Sequence, residues 1–411
     1  MEITRDELEK KDLFRRFFRY AETDTQSSET SGLHPSTEKQ KNLAKILVDE
    51  LREMGIGSVT YDAEHCYVYA KLPGSGSGKD RKALGFIAHM DTSPAVTDTE
   101  VKIRIIPSYS DADPYLKIQD FPELAEHTGQ TLIATDTTTL LGADDKAGVA
   151  EIMSMLSWFC EHPEVPHRPV CVAFTPDEEI GGGPEFFDLA AFGAPEAYTV
   201  DGGKYGIVEY ENFNAAGAEV KIHGRSVHPG DAKGRMVNAS LLALEFAGQM
   251  PEDERPETTE GYQGFYMLED MRGEVEEALL HIIVRDHDRE RFEKRKERLQ
   301  DIAADMNEKY GAGTVELTVK DQYYNMASVM KDHMDLIDNA FEAIRAQGGK
   351  PQALPIRGGT DGATLSFRGL PCPNLCTGGY NYHSRYEYAS VPEMEKCRDL
   401  LIGLAQRSGS V

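Results

Sequence analysis

Basic residues are scarce in this chain: 44 Lys and Arg stand against 70 Asp and Glu, for a formal net charge of −26. Phosphate binding needs a basic surface, so nucleic acid is excluded as a partner. Long apolar runs are also missing. None approaches the roughly 18 residues of a membrane helix, so no membrane association is expected. Residues 1–11 are charged and polar, without the apolar core or small-residue cleavage site of a signal peptide. The resulting expectation is a cytoplasmic protein. The six cysteines (Cys66, Cys160, Cys171, Cys372, Cys376, Cys397) form no Cys-x-x-Cys pair. Buried free thiols in a reducing compartment are expected, rather than a zinc knuckle.

The 411 residues, 40% of them hydrophobic and 28% charged, are enough for two or more globular domains. Residues 6–20 read as a helix with Leu13, Phe14, Phe17 and Phe18 on one side. Ser36-Thr37-Glu38 reads as the start of another, running to about Met54. Residues 65–70 are expected to be a strand. The continuous apolar run 83–88 suits a strand buried on both faces of an α/β sheet. Residues 96–139 carry no helix-length period. A helix is expected over 147–160, and strands over 169–174 and 197–200.

The period then changes. Residues 215–223, 238–249, 262–271, 278–284, 288–310 and 314–321 read as strand, helix, strand, strand, helix, strand. That is the ferredoxin-like order. The expected fold is therefore an α/β catalytic domain, residues 1–213 and 323–411, with an inserted α+β domain over 214–322. Residues 358–362 form a glycine-rich turn, and 393–406 a last helix.

Chemistry-bearing residues gather just after the strand-like runs. His89 and Asp91 follow the first. Two residues apart on a strand they face the same side, so His89 can bind a metal while Asp91 orients its ring. Asp144 and Asp145 sit at a strand-to-helix turn, where helix capping accounts for one aspartate but not both. Asp177-Glu178-Glu179 follows another buried strand, and a cation would offset the repulsion among its carboxylates. Glu179 is then a ligand, and Glu178 is free to move a proton. Asp201 and His383 complete the set. His228, in a Pro-Gly loop of the inserted domain, suits an oxyanion stabiliser. Arg285 and Arg357 suit a substrate carboxylate. Taken singly, most of these residues have ordinary structural explanations. Two imidazoles and three carboxylates together are what two zinc ions need with one carboxylate shared.

The order His89-x-Asp91, Asp144-Asp145-Lys146, Asp177-Glu178-Glu179, Asp201, His383 resembles the co-catalytic zinc exopeptidases of the M20 type. The runs 140–150, 197–203, 228–230 and 378–381 are similar to its tripeptide aminopeptidases. The resemblance covers nearly the whole chain and implies a zinc-exopeptidase-like catalytic domain with an inserted lid or dimerisation-type domain. It implies two zinc ions per subunit, with Asp144 bridging. His89 and Asp201 would complete one site, Glu179 and His383 the other. Glu178 would be the general acid/base, Asp91 would hold His89, and His228 would contact the carbonyl oxygen. The Asp144-Asp145 peptide bond would be cis. The substrate would be a tripeptide with a free amino group, and a homodimer is left open. Alternatives within the same type are N-acyl amino acid deacylation and carboxypeptidase action. An inactive metal-binding homologue is the alternative outside it.

Overall fold

Leu84–His89, Val170–Thr175 and Ala197–Gly202 are apolar almost throughout, and they lie side by side in parallel at the centre of an eight-stranded mixed sheet. The computed structural model describes residues 3–407. The strand order is Ser58–Asp62, Tyr67–Leu72, Val170–Thr175, Leu84–His89, Ala197–Gly202, Asn374–Cys376, Ile207–Glu209, Gln352–Ala353. Every residue of Leu84–His89 and Val170–Thr175 is buried, as expected of strands covered on both faces. The helix Ala143–Glu161 packs on this sheet and is itself almost wholly buried. A second sheet, all antiparallel, has the order Gly379–Tyr380, Tyr388–Ser390, Leu132–Thr135, Ile103–Ile106. Residues 96–139 thus supply two of its strands, and it has its own core around Tyr109, Leu116, Leu132 and Tyr388.

Several elements differ from their sequence expectations for identifiable reasons. Residues 6–20 are two helices, Arg5–Leu8 and Asp12–Ala21. Glu9-Lys10-Lys11 offers no apolar side chain to bury, so the chain turns there. The expected helix from Ser36 begins only at Gln40. The Ser36 amide and hydroxyl are drawn instead to the buried carboxylate of Asp177, and the Gln40 side chain follows them. The strand expected from His65 starts at Tyr67, because the Asp62 carboxylate accepts the amides of Glu64 and His65 and makes a turn. Part of the glycine-rich turn at 358–362 is the start of a short helix, Asp361–Phe367.

Gly148 lets the helix Ala143–Glu161 approach the sheet. A Cβ there would lie 1.9 Å from the carbonyl oxygen of Val200, a backbone atom with no freedom to move aside. Gly148→Ala is expected to destabilise the chain by about 1–3 kcal/mol or more through overpacking. A lower urea midpoint relative to the unaltered protein checks this.

The chain divides into two compact units, one of Met1–Tyr210, Val329–Leu354 and Thr360–Val411, the other of Glu211–Ser328 and Pro355–Gly359. The second unit has an antiparallel four-stranded sheet in the order Phe265–Gly273, Glu277–Asp286, Asn214–His223, Val315–Tyr323. Helices Ala239–Ala247 and Arg289–Tyr310 pack against its strands around Val220, Leu280, Ile282, Phe292 and Leu299. Asn238 and Asp288 cap these helices with their side chains. The order strand, helix, strand, strand, helix, strand is the ferredoxin-like one. Among the described residues no helix is long and apolar enough to cross a membrane.

Candidate metal centre

The three central parallel strands bring their carboxyl ends to one edge of the sheet, the usual place for a site in an open α/β sheet. His89 is the last residue of its strand and pairs in register with Thr175, so the Asp177-Glu178-Glu179 segment starts beside it. Asp201 lies near the end of Ala197–Gly202 on the other side. Asp144 comes from the turn that opens the helix Ala143–Glu161. That turn starts with Gly142 at φ 75°, and its first residues are not helical. The Asp144–Asp145 peptide bond is cis. His383 arrives from the loop joining the antiparallel strands Gly379–Tyr380 and Tyr388–Ser390.

Asp144 stands between the two imidazoles. Its Oδ1 is 2.9 Å from His89 Nε2 and its Oδ2 is 3.2 Å from His383 Nε2. His89 Nε2 also lies 3.4 Å from Asp201 Oδ1, and His383 Nε2 lies 2.7 Å from Glu179 Oε2. Two triads result, one of His89 and Asp201, the other of His383 and Glu179, with Asp144 common to both. Asp145 also lies within donor range of His89 and Asp201. Its carboxylate also accepts the amides of His89 and Gly148, each at 3.2 Å, whereas Asp144 faces both imidazoles.

The donor set suits a divalent cation on two grounds. Among the described residues Glu179 Oε1 is buried with no hydrogen-bond partner, a state that normally costs about 1–3 kcal/mol. The charges are also crowded. Burial, with Asp144 nearby, pushes the Glu179 carboxyl up to about 7, and burial raises Asp201 to about 6. Burial opposes charge on His89, but Asp201, Asp144 and Asp91 outweigh it and hold the ring protonated well above its ordinary range. Hydrogen bonds to Asp144 and Glu179 raise His383 to about 11. A divalent cation would offset this crowding of carboxylates.

The Peptidase dimerisation domain family of M20 peptidases matches residues 210–314. The chain is 50% identical to peptidase T of Geobacillus sp. (strain WCH70) over 401 residues, 96% of this chain and 97% of that one. The chain belongs to the peptidase T family. Peptidase T of Desulfitobacterium hafniense (strain DSM 10664 / DCB-2) is 51% identical over 95% of this chain and 97% of its own length. The fold is shared with a tripeptidase from Staphylococcus aureus at TM-score 0.77 and 20% identity, with 99% of each chain covered. It is shared also with a dinuclear metal binding peptidase of the M20 family from Bacillus subtilis, at TM-score 0.66 and 14% identity, with 96% of each covered.

In this member of the peptidase T family Asp91 has a wider task than holding His89. His89 Nδ1 is 3.0 Å from the carbonyl oxygen of Asp91 and 3.4 Å from its Oδ1. The Asp91 carboxylate accepts the amides of Glu178 (3.0 Å) and Glu179 (3.2 Å), so it also fixes the segment carrying both. Asp177 does not belong to a three-carboxylate cluster. It turns away and is spent on Ser36 and Gln40. Of the acidic triplet, two residues are left for chemistry.

His228, Arg285 and Arg357 lie in the second unit. His228 is exposed, and its Nδ1 accepts the Gly230 amide at 3.2 Å. Arg285 donates to the carbonyls of Val284 and Ala216. Arg357 donates to the carbonyls of Gly261 and Gln263 and to Thr259.

Three residues near the site were given no role from the sequence, although Lys146 stands in the Asp144-Asp145-Lys146 run. Lys146 is fully buried, donates to the carbonyl of Thr23 at 2.7 Å and lies 3.6 Å from buried Asp98. Asp361 accepts from Thr175 Oγ1 at 3.0 Å. Gly183 is needed beside it, since a Cβ there would fall 2.2 Å from the Asp361 carboxylate. Glu387 accepts three backbone amides around Asp144. The Gly-Gly-Thr-Asp-Gly run could have flagged Asp361. Nothing in the acidic composition separates Glu387 from its neighbours.

Proposed function

We propose that the chain is a tripeptide aminopeptidase, working with two zinc ions per subunit and releasing the first residue of a tripeptide. The observation that carries this reading is the position of Asp144, with one oxygen toward each of two donor sets. His89, Asp144 and Asp201 would hold one ion; Asp144, Glu179 and His383 would hold the other. Bound there, the ions would supply Lewis-acid activation of a water and of the scissile carbonyl.

The remaining work falls to the chain. Glu178 takes a proton from the attacking water and returns it to the departing amine. Asp91 keeps Glu178 in place through its amide. His228 donates to the oxygen of the tetrahedral intermediate, and Arg285 and Arg357 bind the carboxylate of the peptide. The inserted segment, residues 214–322, serves as lid and as the contact of a homodimer.

A panel of tripeptides, dipeptides and N-acetylated amino acids tests the assignment. Tripeptides with a free amine are expected to be the preferred substrates, with activity lost to a chelator and restored by zinc. Equal rates on blocked amino groups would overturn the aminopeptidase reading. His228→Ala is expected to lower turnover by about 10²–10³-fold, the usual cost of an oxyanion donor, with zinc content unchanged. Parallel kinetics and metal analysis check this, and unchanged turnover removes His228 from the mechanism.

A further inference from the structure

The segments that carry the metal donors are held by side chains that accept their backbone amides. Asp145, next to Asp144, accepts the amide of His89 at 3.2 Å. Asp91, just after His89, accepts those of Glu178 and Glu179. Asn374 Oδ1 accepts that of Asp201 at 3.1 Å. Glu387 makes the fourth tie, and the one with most bonds. Its Oε2 accepts the amides of Leu141 and Gly142, both at 2.7 Å, and its Oε1 that of Asp144 at 3.0 Å. The residue is 1% exposed, so water does not compete for these bonds.

Glu387 lies four residues after His383, in the same loop between Gly379–Tyr380 and Tyr388–Ser390. That loop needs anchoring. His383 sits at φ 57° and its side chain is half exposed, whereas the Glu179 side chain it meets is only 3% exposed. Three backbone amides converging on one buried carboxyl group make a strong tie for a loop. They hold the 141–144 turn and the 383–387 loop in one fixed relation.

We infer that Glu387 is a positioning residue that locks the bridging Asp144 to the His383 loop, so that the donors of the site formed by Asp144, Glu179 and His383 assemble together. This rests on the two-metal reading above. An outer partner of this kind is worth about 10- to 100-fold in metal affinity. Asp144 serves both sites, but His89 and Asp201 are also held through Asp145 and Asn374, so the effect falls more on the site that includes His383. A residue that merely stabilised the fold would lower the melting temperature and leave the stepwise zinc affinities alone.

The test is zinc titration of the full-length, metal-stripped chain against a chromophoric chelator, comparing the unaltered protein with Glu387→Gln. The amide keeps the shape but turns an N–H toward at least one of the three donors. One of the two binding steps is expected to weaken by about 10- to 100-fold and the other by less. Two unchanged steps overturn the inference alone. Uptake of fewer than two zinc ions by the unaltered chain overturns the two-metal reading, and the inference with it. If Glu387→Gln does not fold, hydrogen exchange on the unaltered protein decides. Zinc is expected to protect the amides of Leu141, Gly142 and Asp144 together with residues 381–387, and protection of 381–387 alone overturns the inference.

Discussion

Glu178→Gln is expected to lose about 10²–10⁴-fold in turnover while its zinc content stays that of the unaltered protein. The separation follows from the neighbouring roles of Glu178 and Glu179. Glu179 faces His383 at 2.7 Å and is a donor in one triad. Glu178 lies in neither triad, and its amide is held by Asp91 at 3.0 Å. A glutamine keeps that backbone bond and the side-chain volume, and loses only the capacity to carry a proton. Steady-state kinetics on a tripeptide, alongside metal analysis of the same sample, give both quantities. Turnover near normal refutes the assignment, and loss of zinc moves Glu178 among the ligands.

Asp144→Ala is expected to empty both sites. Each imidazole loses a carboxylate at 2.9 or 3.2 Å, and each triad falls to two donors. Loss of a direct ligand is expected to exceed the roughly 10- to 100-fold in affinity that an outer partner contributes. Asp201→Ala makes the contrast, since Asp201 belongs to the triad of His89, 3.4 Å from its Nε2. It is expected to weaken one binding step and spare the other. Full occupancy of either site in Asp144→Ala counts against a bridging role.

The five side chains that the sequence grouped lie together in the structure, though only some of them follow a recognisable local signal. His89 and Glu179 follow fully apolar runs, and such runs become the central strands whose ends converge. The βαββαβ insertion was legible for the same reason: alternation of apolar and polar residues along a strand survives wherever one face is buried. What could not be read was set by contacts across long stretches of sequence. Asp177 has the same local setting as Glu178 and Glu179, yet Ser36 and Gln40 claim it. The late start of the helix at Gln40 has the same cause. Glu387 looks like any surface glutamate until the 141–144 turn is folded against it. The second sheet escaped notice because its strands come from residues 103–135 and 379–390, and none is longer than four residues.

The scattering of donors between positions 89 and 383 has a consequence for how the protein is made. A ribosome delivers His89, Asp144, Glu179 and Asp201 well before His383. A growing chain that has passed Asp201 holds four of the five side chains but lacks His383, and it lacks Asn374 and Glu387, which fix the Asp201 and Asp144 segments. Until the hairpin loop arrives, Asp144 has only one neighbour to serve. A chain cut short before His383 is therefore expected to keep the strands that carry His89, Glu179 and Asp201 and to lack the second imidazole.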